Sequence, residues 1–316
     1  MSELLAPLPP DLAPQSVQTY RWRSYTCAYE TVPGNAATAL LLIHPIGVGL
    51  SRQFWYPFCH AWTREGQGAP LYLPDLLGCG DSSMPSAAYQ PEDWAQQLLH
   101  FLQTVVSQPV VLVAQGALLP VALLLAEKAQ ADPKTAALVQ GLVLAGPPAW
   151  SVTTTETPTW QTRLLWSLFY SPAGRLFYRY ARRRQFLASF SEKQLFERPA
   201  DVTEDWLSML VAGAKDPASR HAVFSFLAGF WRRDYRSILA SLPYPTLVTV
   251  GTAASSISQS GKSETPEVRL ERYLQHLAQG EGVQVPGRNV LPYESTAAFV
   301  AAIAPFIETC QKAASL

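Results

Sequence analysis

Residues 109–127 read PVVLVAQGALLPVALLLAE, and the stretch changes character twice along its length. Its start is short, rich in Val and almost continuously apolar, which is typical of a strand buried on both faces of a parallel sheet. Its end is rich in Ala and Leu and too long for a strand, so it predicts a helix. The small residues AQGAL, centred on Gly116, form a turn between the two. A strand, a sharp turn and a buried helix can present a catalytic nucleophile, but glycine has no side chain that could attack a substrate.

The sequence around this stretch alternates between short apolar runs and helical patterns. A segment of alternating polar and apolar residues at 17–32 predicts an antiparallel hairpin at a sheet edge. Buried strands are predicted at 38–45, at the start of 70–85 and at 139–148, and a helix is predicted at 91–106. This order predicts a doubly wound, mostly parallel sheet flanked by helices.

A long helical insert interrupts the alternation. Strand signals stop between residues 149 and 241, where helical patterns rich in aromatic residues and arginine take over. Strand character returns at 243–251, followed by a helix at 266–278, a short strand at 282–287 and a final helix from about Ser295. The predicted domains are a flexible N-terminal arm (1–16), an α/β core (17–148 and 242–316) and an inserted helical lid (149–241).

Composition limits the classes of function. The chain has 316 residues, zero net charge at pH 7 and 48% hydrophobic residues. Zero net charge gives no general attraction to nucleic acid, and no nucleic-acid motif is visible, so no such partner is expected. The sequence shows neither a signal peptide nor a long uncharged apolar run, which predicts a cytoplasmic protein without a transmembrane helix. The four cysteines have no metal-ligand spacing, and we expect no metal and no other cofactor.

Four segments, in order, resemble the α/β-hydrolase family from about Thr38 onward. LLLIHPIGVGLSRQFW resembles the strand and loop whose backbone N–H groups help to form an oxyanion hole. LPDLLGCGDSSMP is similar to the family segment Asp-Leu-x-Gly-x-Gly-x-Ser, AQGAL stands at the nucleophile turn, and the insert at 149–241 stands where the family carries a helical lid. The chain looks most like the cofactor-free hydrolases of cyanobacteria and chloroplasts. The resemblance implies the α/β-hydrolase fold and, in an ordinary member, a Ser-Asp-His triad.

The family's catalytic positions do not hold catalytic residues in this chain. The family motif Gly-x-Ser-x-Gly aligns with AQGAL, which places Gly116 where the nucleophile would stand. The acid would follow the strand that ends at Gly251, yet Thr252 to Gly261 contains neither Asp nor Glu. In the C-terminal stretch GRNVLPYE, Asn289 takes the place of the base, and asparagine has no titratable proton near neutral pH. The sequence therefore predicts a degenerate triad.

We expect a non-catalytic protein that uses the hydrolase fold to bind a small apolar ligand or a protein partner. An alternative stays open, namely an enzyme for ester or related hydrolysis with a non-standard catalytic arrangement, in which the amides near Ile46 and Ala117 polarise a carbonyl. Asp75 and Ser82 are conceivable catalytic groups, although both match structural positions of the family. The expected pocket residues are His44, Ile46, Gln115, Gly116, Ala117 and Asn289.

The predicted lid is basic. Residues 151–240 contain 13 Lys or Arg and 8 Asp or Glu, and the excess is concentrated in 175–198, where arginines alternate with aromatic residues. Such a stretch can lie peripherally on an anionic membrane or dock an acidic partner. The same residues also suit a plain lid, which needs aromatic side chains over a pocket and charges on its outer face. The candidate surface residues are Arg179, Arg182, Arg183 and Arg184.

Overall fold

An eight-stranded sheet forms the centre of the computed structural model, which describes residues 16–313. Apart from Ser16, the expected N-terminal arm lies outside the described residues. The strands are β1 (Gln18–Trp22), β2 (Tyr25–Val32), β3 (Ala39–Ile43), β4 (Leu71–Pro74), β5 (Val110–Gln115), β6 (Val139–Ala145), β7 (Thr246–Gly251) and β8 (Gly280–Val285).

The sheet has the strand order β1-β2-β4-β3-β5-β6-β7-β8. Strands β4, β3, β5, β6, β7 and β8 run parallel to one another. The predicted edge hairpin is confirmed, because β1 pairs antiparallel with β2 and β2 pairs antiparallel with β4. In a parallel sheet all the strands end at the same edge, so the loops after β3, β5, β6, β7 and β8 can meet there.

The central strand β5 is buried on both faces, as its uniform apolar sequence predicts. Val110, Leu112 and Ala114 belong to the core on one side of the sheet, whereas Val111 and Val113 belong to the core on the other side. Alternate residues of a strand point to opposite faces, so every side chain of β5 needs apolar surroundings. The position of this strand in the middle of the sheet follows from that requirement.

Helices cover both faces of the sheet. One core includes side chains of α2, α3, α11 and α12, and the other includes side chains of α1 and α14. Together with the parallel sheet, this arrangement confirms the predicted α/β-hydrolase fold. In chain order the helices are α1 (Tyr56–Arg64), α2 (Pro91–Phe101), α3 (Leu119–Ala129), α4 (Pro133–Ala136), α5 (Trp150–Thr153), α6 (Thr159–Tyr170), α7 (Pro172–Ala181), α8 (Arg184–Phe190), α9 (Glu204–Gly213), α10 (Arg220–Leu227), α11 (Arg236–Ser241), α12 (Pro266–Leu274), α13 (Leu291–Glu294) and α14 (Thr296–Ala313).

One helix changes its type along its length, and another is shorter than the sequence predicts. The helix predicted at 91–106 is α-helical to Phe101 and π-helical from Leu102 to Val106, and Ser107 then adopts a positive φ of 49°. The helix predicted at 266–278 ends at Leu274, so His276 lies beyond it. There the apolar pattern continues past the last helical residue, which is why the sequence overestimates the length.

Seven helices, α5 to α11, stand between β6 and β7, and we call the first six, α5 to α10, the insert. The following helix, α11, lies outside the insert because it packs against α3, and its Leu239 is buried in the core. No helix among residues 16–313 is long and apolar enough to cross a membrane.

All four cysteines are buried and unpaired. They are Cys27, Cys59, Cys79 and Cys310. Burial raises the pKa of Cys27 and of Cys310 to about 11, because a buried thiolate loses its hydration. Thiols of this kind pack as small apolar groups and have little nucleophilic character at neutral pH.

Candidate functional site

The turn after β5 begins with a glycine at the position predicted for a nucleophile. Gly116 follows the last residue of β5 and has a φ of +64°, a conformation that favours glycine. A Cβ atom added at Gly116 would meet no other atom within 4 Å. The place where a catalytic side chain would project is therefore open space.

Asn289, at the position expected for the base, connects three loops. Its side-chain Nδ2 donates to the backbone oxygen of Gln194 at 2.7 Å and to that of Ser255 at 3.0 Å. Its backbone N–H donates to the oxygen of Leu195 at 3.0 Å. Asn289 thus holds the loop after β8 against both the insert and the loop after β7. Its amide is occupied by structural hydrogen bonds and cannot accept a proton from a nucleophile.

The loop after β7 supplies a backbone carbonyl where a carboxylate would be expected. The Ser255 carbonyl accepts from the Asn289 side chain, so these two loops are still joined by a hydrogen bond. No carboxylate takes part in this contact. The contact joins a neutral carbonyl and a neutral amide, and neither group has a titratable proton to transfer near neutral pH.

The side chains of Gln115 and His44 make hydrogen bonds to different loops. The Gln115 side chain donates from Nε2 to the backbone oxygen of Asn289 at 2.7 Å, and its buried Oε1 has no hydrogen-bond partner. His44 is fully buried, and both ring nitrogens are engaged: Nδ1 with the oxygen of Pro45 at 2.8 Å and Nε2 with the N–H of Leu76 at 3.1 Å. Burial lowers the pKa of His44, which suits a neutral ring that accepts at Nε2.

A cavity of about 530 Å³ lies between the insert and the carboxyl edge of the sheet. Five of the six expected pocket residues line it, namely Ile46, Gln115, Gly116, Ala117 and Asn289. His44 does not, because its ring turns inward to bind the two loops that follow β3 and β4. The expectation for His44 is thus corrected to a structural role.

The cavity wall is mostly apolar and reaches the surface between insert helices. Phe177, Phe190 and Leu227 line the cavity while remaining 41%, 38% and 44% exposed, so its mouth opens among α7, α8 and α10. A cavity of this size and character suits a small apolar molecule. Representative apolar lining residues are Val48, Leu165, Phe186, Trp206, Phe224 and Phe226.

Ionisable side chains are scarce along the wall. Among the described lining residues only Tyr178, Arg232 and Arg269 are ionisable, and none is His, Asp, Glu, Lys or Cys. The Tyr178 hydroxyl is hydrogen-bonded to Ser219 at 2.7 Å, and burial raises its pKa. None of the three is a base of the kind that activates a hydroxyl near neutral pH. The sequence analysis singled out neither Arg232 nor Arg269, because neither belongs to a motif.

Asp75 and Ser82, the conceivable substitutes, belong to a structural network away from the cavity wall. Asp75 is fully buried and pairs with the guanidinium of Arg52, which also contacts Glu30 at 2.8 Å and Asp81 at 2.8 Å. The Ser82 hydroxyl donates to the oxygen of Asp75 at 2.8 Å. These groups join β2 to the loops after β3 and β4, which is a structural function.

The four arginines expected on the basic surface have different environments. Arg182 donates to the backbone oxygens of Ala214 and Lys215, and Arg184 pairs with Glu204. The Arg183 guanidinium lies 5.8 Å from the centre of the Tyr180 ring, and Arg179 is exposed. Arg179 and Arg183 are therefore the members of this set best placed to meet an external anion.

A neighbouring apolar surface was missed at the sequence level. On α6, Trp160, Leu164 and Leu168 follow a four-residue spacing and are 69%, 61% and 55% exposed. On α7, Leu176 is 64% exposed, and Phe177 and Tyr180 are also exposed. We call these six residues the α6–α7 face. The four-residue spacing in TWQTRLLWSLFY was a visible signal for one helix face, but it did not show that this face is turned outward.

The comparisons with known proteins agree with this architecture. A search of curated protein sequences gave no match. The structure is similar to that of a thermophilic esterase from Thermogutta terrifontis, with 21% identity, a TM-score of 0.68 and coverage of 94% of this chain and 99% of the other. It is also similar to a bromoperoxidase from Bacillus anthracis (18% identity, TM-score 0.68, coverage 93% and 100%) and an enol-lactonase from Burkholderia xenovorans LB400 (15% identity, TM-score 0.68, coverage 92% and 100%). At these identities the similarity establishes the fold alone. The model of the Alpha/beta hydrolase family matches residues 40–303, and the chain belongs to that family.

Proposed function

We propose that this protein is a non-catalytic member of its family that binds a small apolar ligand in the cavity beneath the insert. The observation that carries the proposal is that the turn after β5 offers no nucleophilic side chain and that no described lining residue is a base for a hydroxyl: Gly116 leaves open space, and Asn289 is committed to backbone carbonyls. The cavity meanwhile remains open to the surface and apolar. Transferring an apolar chain into it would contribute about 0.8 kcal/mol for each buried methylene.

A fluorescence titration tests ligand binding. The neutral dye N-phenyl-1-naphthylamine should brighten when it enters the cavity of the purified protein. Gly116→Phe should abolish this signal, because the ring would project into the open space beside Gly116. Gly116→Ala is the matched control, since it brings the same unfavourable φ without filling the cavity. Equal dye binding by both variants, or none by the wild type, would contradict the proposal.

An enzyme with a non-standard arrangement is the second candidate. The names of three similar proteins describe an esterase, a bromoperoxidase and an enol-lactonase, and Ile46 and Ala117 both line the cavity next to the turn. Their N–H groups could polarise a carbonyl. This candidate requires turnover of p-nitrophenyl esters that is lost on a single substitution, or stoichiometric labelling by a fluorophosphonate. Neither is expected if the protein only binds its ligand.

The α6–α7 face supports a further part of the proposal, namely that the insert docks on an anionic lipid bilayer. From Thr157 to Ser191 the chain contains six arginines and neither Asp nor Glu. Aromatic and aliphatic side chains flanked by arginine suit the interface of an anionic bilayer. Phe177 belongs both to this face and to the cavity wall, so the cavity mouth would open beside the lipid. An apolar ligand could then pass between bilayer and cavity without crossing water.

Vesicle flotation tests the docking. The protein should float with vesicles containing phosphatidylserine, and the triple variant Trp160→Ser, Leu164→Ser, Leu168→Ser should not. Arg175→Gln combined with Arg179→Gln should weaken flotation, whereas Arg198→Gln with Arg236→Gln removes the same charge elsewhere and should not. No flotation by the wild type would remove the bilayer proposal. If the same face binds a protein partner instead, that partner and not the bilayer is what the face docks on.

A further inference from the structure

Arg232 brings a cation to one end of the apolar cavity. It lines the cavity in the segment between α10 and α11, and it is half-buried. Its Nη2 donates to the Ser258 hydroxyl at 2.6 Å, and its guanidinium lies 5.8 Å from the centre of the Trp231 ring. The guanidinium is therefore held in place against the loop that follows β7.

No carboxylate among the described residues pairs with Arg232. Other arginines of this region do have such partners: Arg233 pairs with Glu92, Arg236 with Asp234 and Arg269 with Glu264. Burial lowers the pKa of Arg232, and no neighbouring carboxylate opposes that effect. A partly desolvated guanidinium without a counter-ion is energetically unfavourable, and an incoming anion would relieve the cost.

Serine hydroxyls and a second guanidinium line the cavity together with Arg232. Ser255, Ser256 and Ser258 line the same cavity. Arg269 is a second arginine of the cavity wall and is buried. It donates to Glu264 at 3.2 Å and to the Pro147 oxygen at 3.3 Å, and its Nη2 has no hydrogen-bond partner. The Arg269–Glu264 pair is neutral as a unit, so Arg232 gives this end of the cavity a net positive charge.

We propose that the ligand is an amphipathic anion, a carboxylate or phosphate ester on an apolar chain, whose head group binds Arg232 while the chain lies in the apolar cavity. This rests on the proposed function, because it assigns the chemistry of the molecule that the cavity takes. The Ser258 hydroxyl keeps the guanidinium pointing in one direction, so that two parallel N–H groups can meet two anionic oxygens. Ligand specificity would then come from the head group and affinity from the chain.

Competition with N-phenyl-1-naphthylamine tests this assignment on the full chain. Dodecanoic acid, dodecyl phosphate and dodecanol share one chain and differ in the head group. We expect at least one anion to displace the dye about tenfold more tightly than the alcohol, which corresponds to one charge-assisted contact. In Arg232→Gln this preference should fall to near onefold. Arg236→Gln removes an exposed charge outside the cavity and should keep the preference.

The possible results distinguish a failure of the role assigned to Arg232 from a failure of ligand binding itself. Equal affinities for the three compounds, or a preference for the anions that survives Arg232→Gln, would overturn the role of Arg232 and leave ligand binding in place. If the preference for the anions survives in Arg232→Gln, the head group must bind elsewhere, for example at the amides of Ile46 and Ala117. A protein that takes up neither dye nor dodecanol would overturn both proposals. Arg232→Lys should retain part of the preference, because a lysine keeps the charge but loses the paired donors.

Discussion

The side-chain amide of Asn289 donates a hydrogen bond to the backbone carbonyl of Ser255 across 3.0 Å. The contact joins the loops after β7 and β8 through two groups that do not titrate. Together with the bond from Asn289 to the Gln194 oxygen, it ties the insert to the sheet. Asn289 therefore connects three parts of the chain mechanically through groups that do not transfer protons near neutral pH.

Replacing Asn289 should loosen that connection. Asn289→Ala leaves the oxygens of Gln194 and Ser255 without this donor, and we expect the free energy of unfolding to fall by about 1–3 kcal/mol. Asn289→Asp should be more damaging, because a carboxylate would face two carbonyl oxygens. Urea denaturation gives the stability, and hydrogen exchange should show lower protection around Gln194. A neutral effect of Asn289→Asp would contradict the two donated bonds.

Adding a hydroxyl at Gly116 should not create a hydrolase. Gly116→Ser has room for its side chain but must adopt a φ of +64°, so we expect a loss of about 1–2 kcal/mol in stability. Gly116→Ala should lose the same amount. Neither variant should release p-nitrophenol in a burst from p-nitrophenyl acetate, because no base lines the cavity. A burst with Gly116→Ser alone would mean that an unrecognised base is present.

Removing Arg52 should be among the most destabilising substitutions in the core. Arg52→Leu leaves Asp75 and Glu30 as buried carboxylates without their cation, which costs about 3–5 kcal/mol. Arg198→Leu breaks an ion pair whose arginine is 75% exposed, and it should leave the denaturation midpoint unchanged. Similar midpoints for the two variants would show that the buried network contributes little.

His221 should make the protein less stable in mild acid. Burial lowers the pKa of His221 from 6.5 to about 4, and the positive charge of Arg220 adds to the effect. Between these pH values the unfolded chain binds a proton that the folded chain excludes, so the free energy of unfolding falls as the pH falls from 6.5 towards 4. We expect His221 to account for about 1–3 kcal/mol of that loss.

His221→Gln should flatten the dependence, since glutamine does not titrate. Guanidinium denaturation of wild type and variant at pH 7.5 and pH 5 measures the difference. Equal slopes in the two proteins would assign the acid sensitivity to other groups.

Much of the fold could be predicted because it depends on local periodicity. The buried pattern of β5, the hairpin at 17–32 and the alternation of strands and helices are all properties of neighbouring residues. The change from α-helix to π-helix after Phe101 and the end of α12 depend on backbone geometry that apolar patterns do not encode, which is why the helix predicted at 266–278 was too long.

The site was predictable where residues adjoin strand ends. Ile46, Gln115, Ala117 and Asn289 line the cavity because the loops after parallel strands meet at one edge. The structural role of His44 depends on a contact with Leu76, which no local pattern reveals. The outward orientation of α6 and the missing counter-ion of Arg232 depend in the same way on which elements pack together. The cation that we assign to the ligand head group and the apolar face that we assign to lipid contact were therefore visible only in three dimensions.

The burial of all four cysteines has a practical consequence for experiments on the insert. Because these thiols are shielded, a cysteine introduced on the surface would be the one group that reacts readily with a maleimide. Ala173→Cys would place a fluorophore or spin label on an exposed position of α7 without prior removal of native cysteines. Such a reporter would follow, in real time, how the insert responds to vesicles and to amphipathic anions.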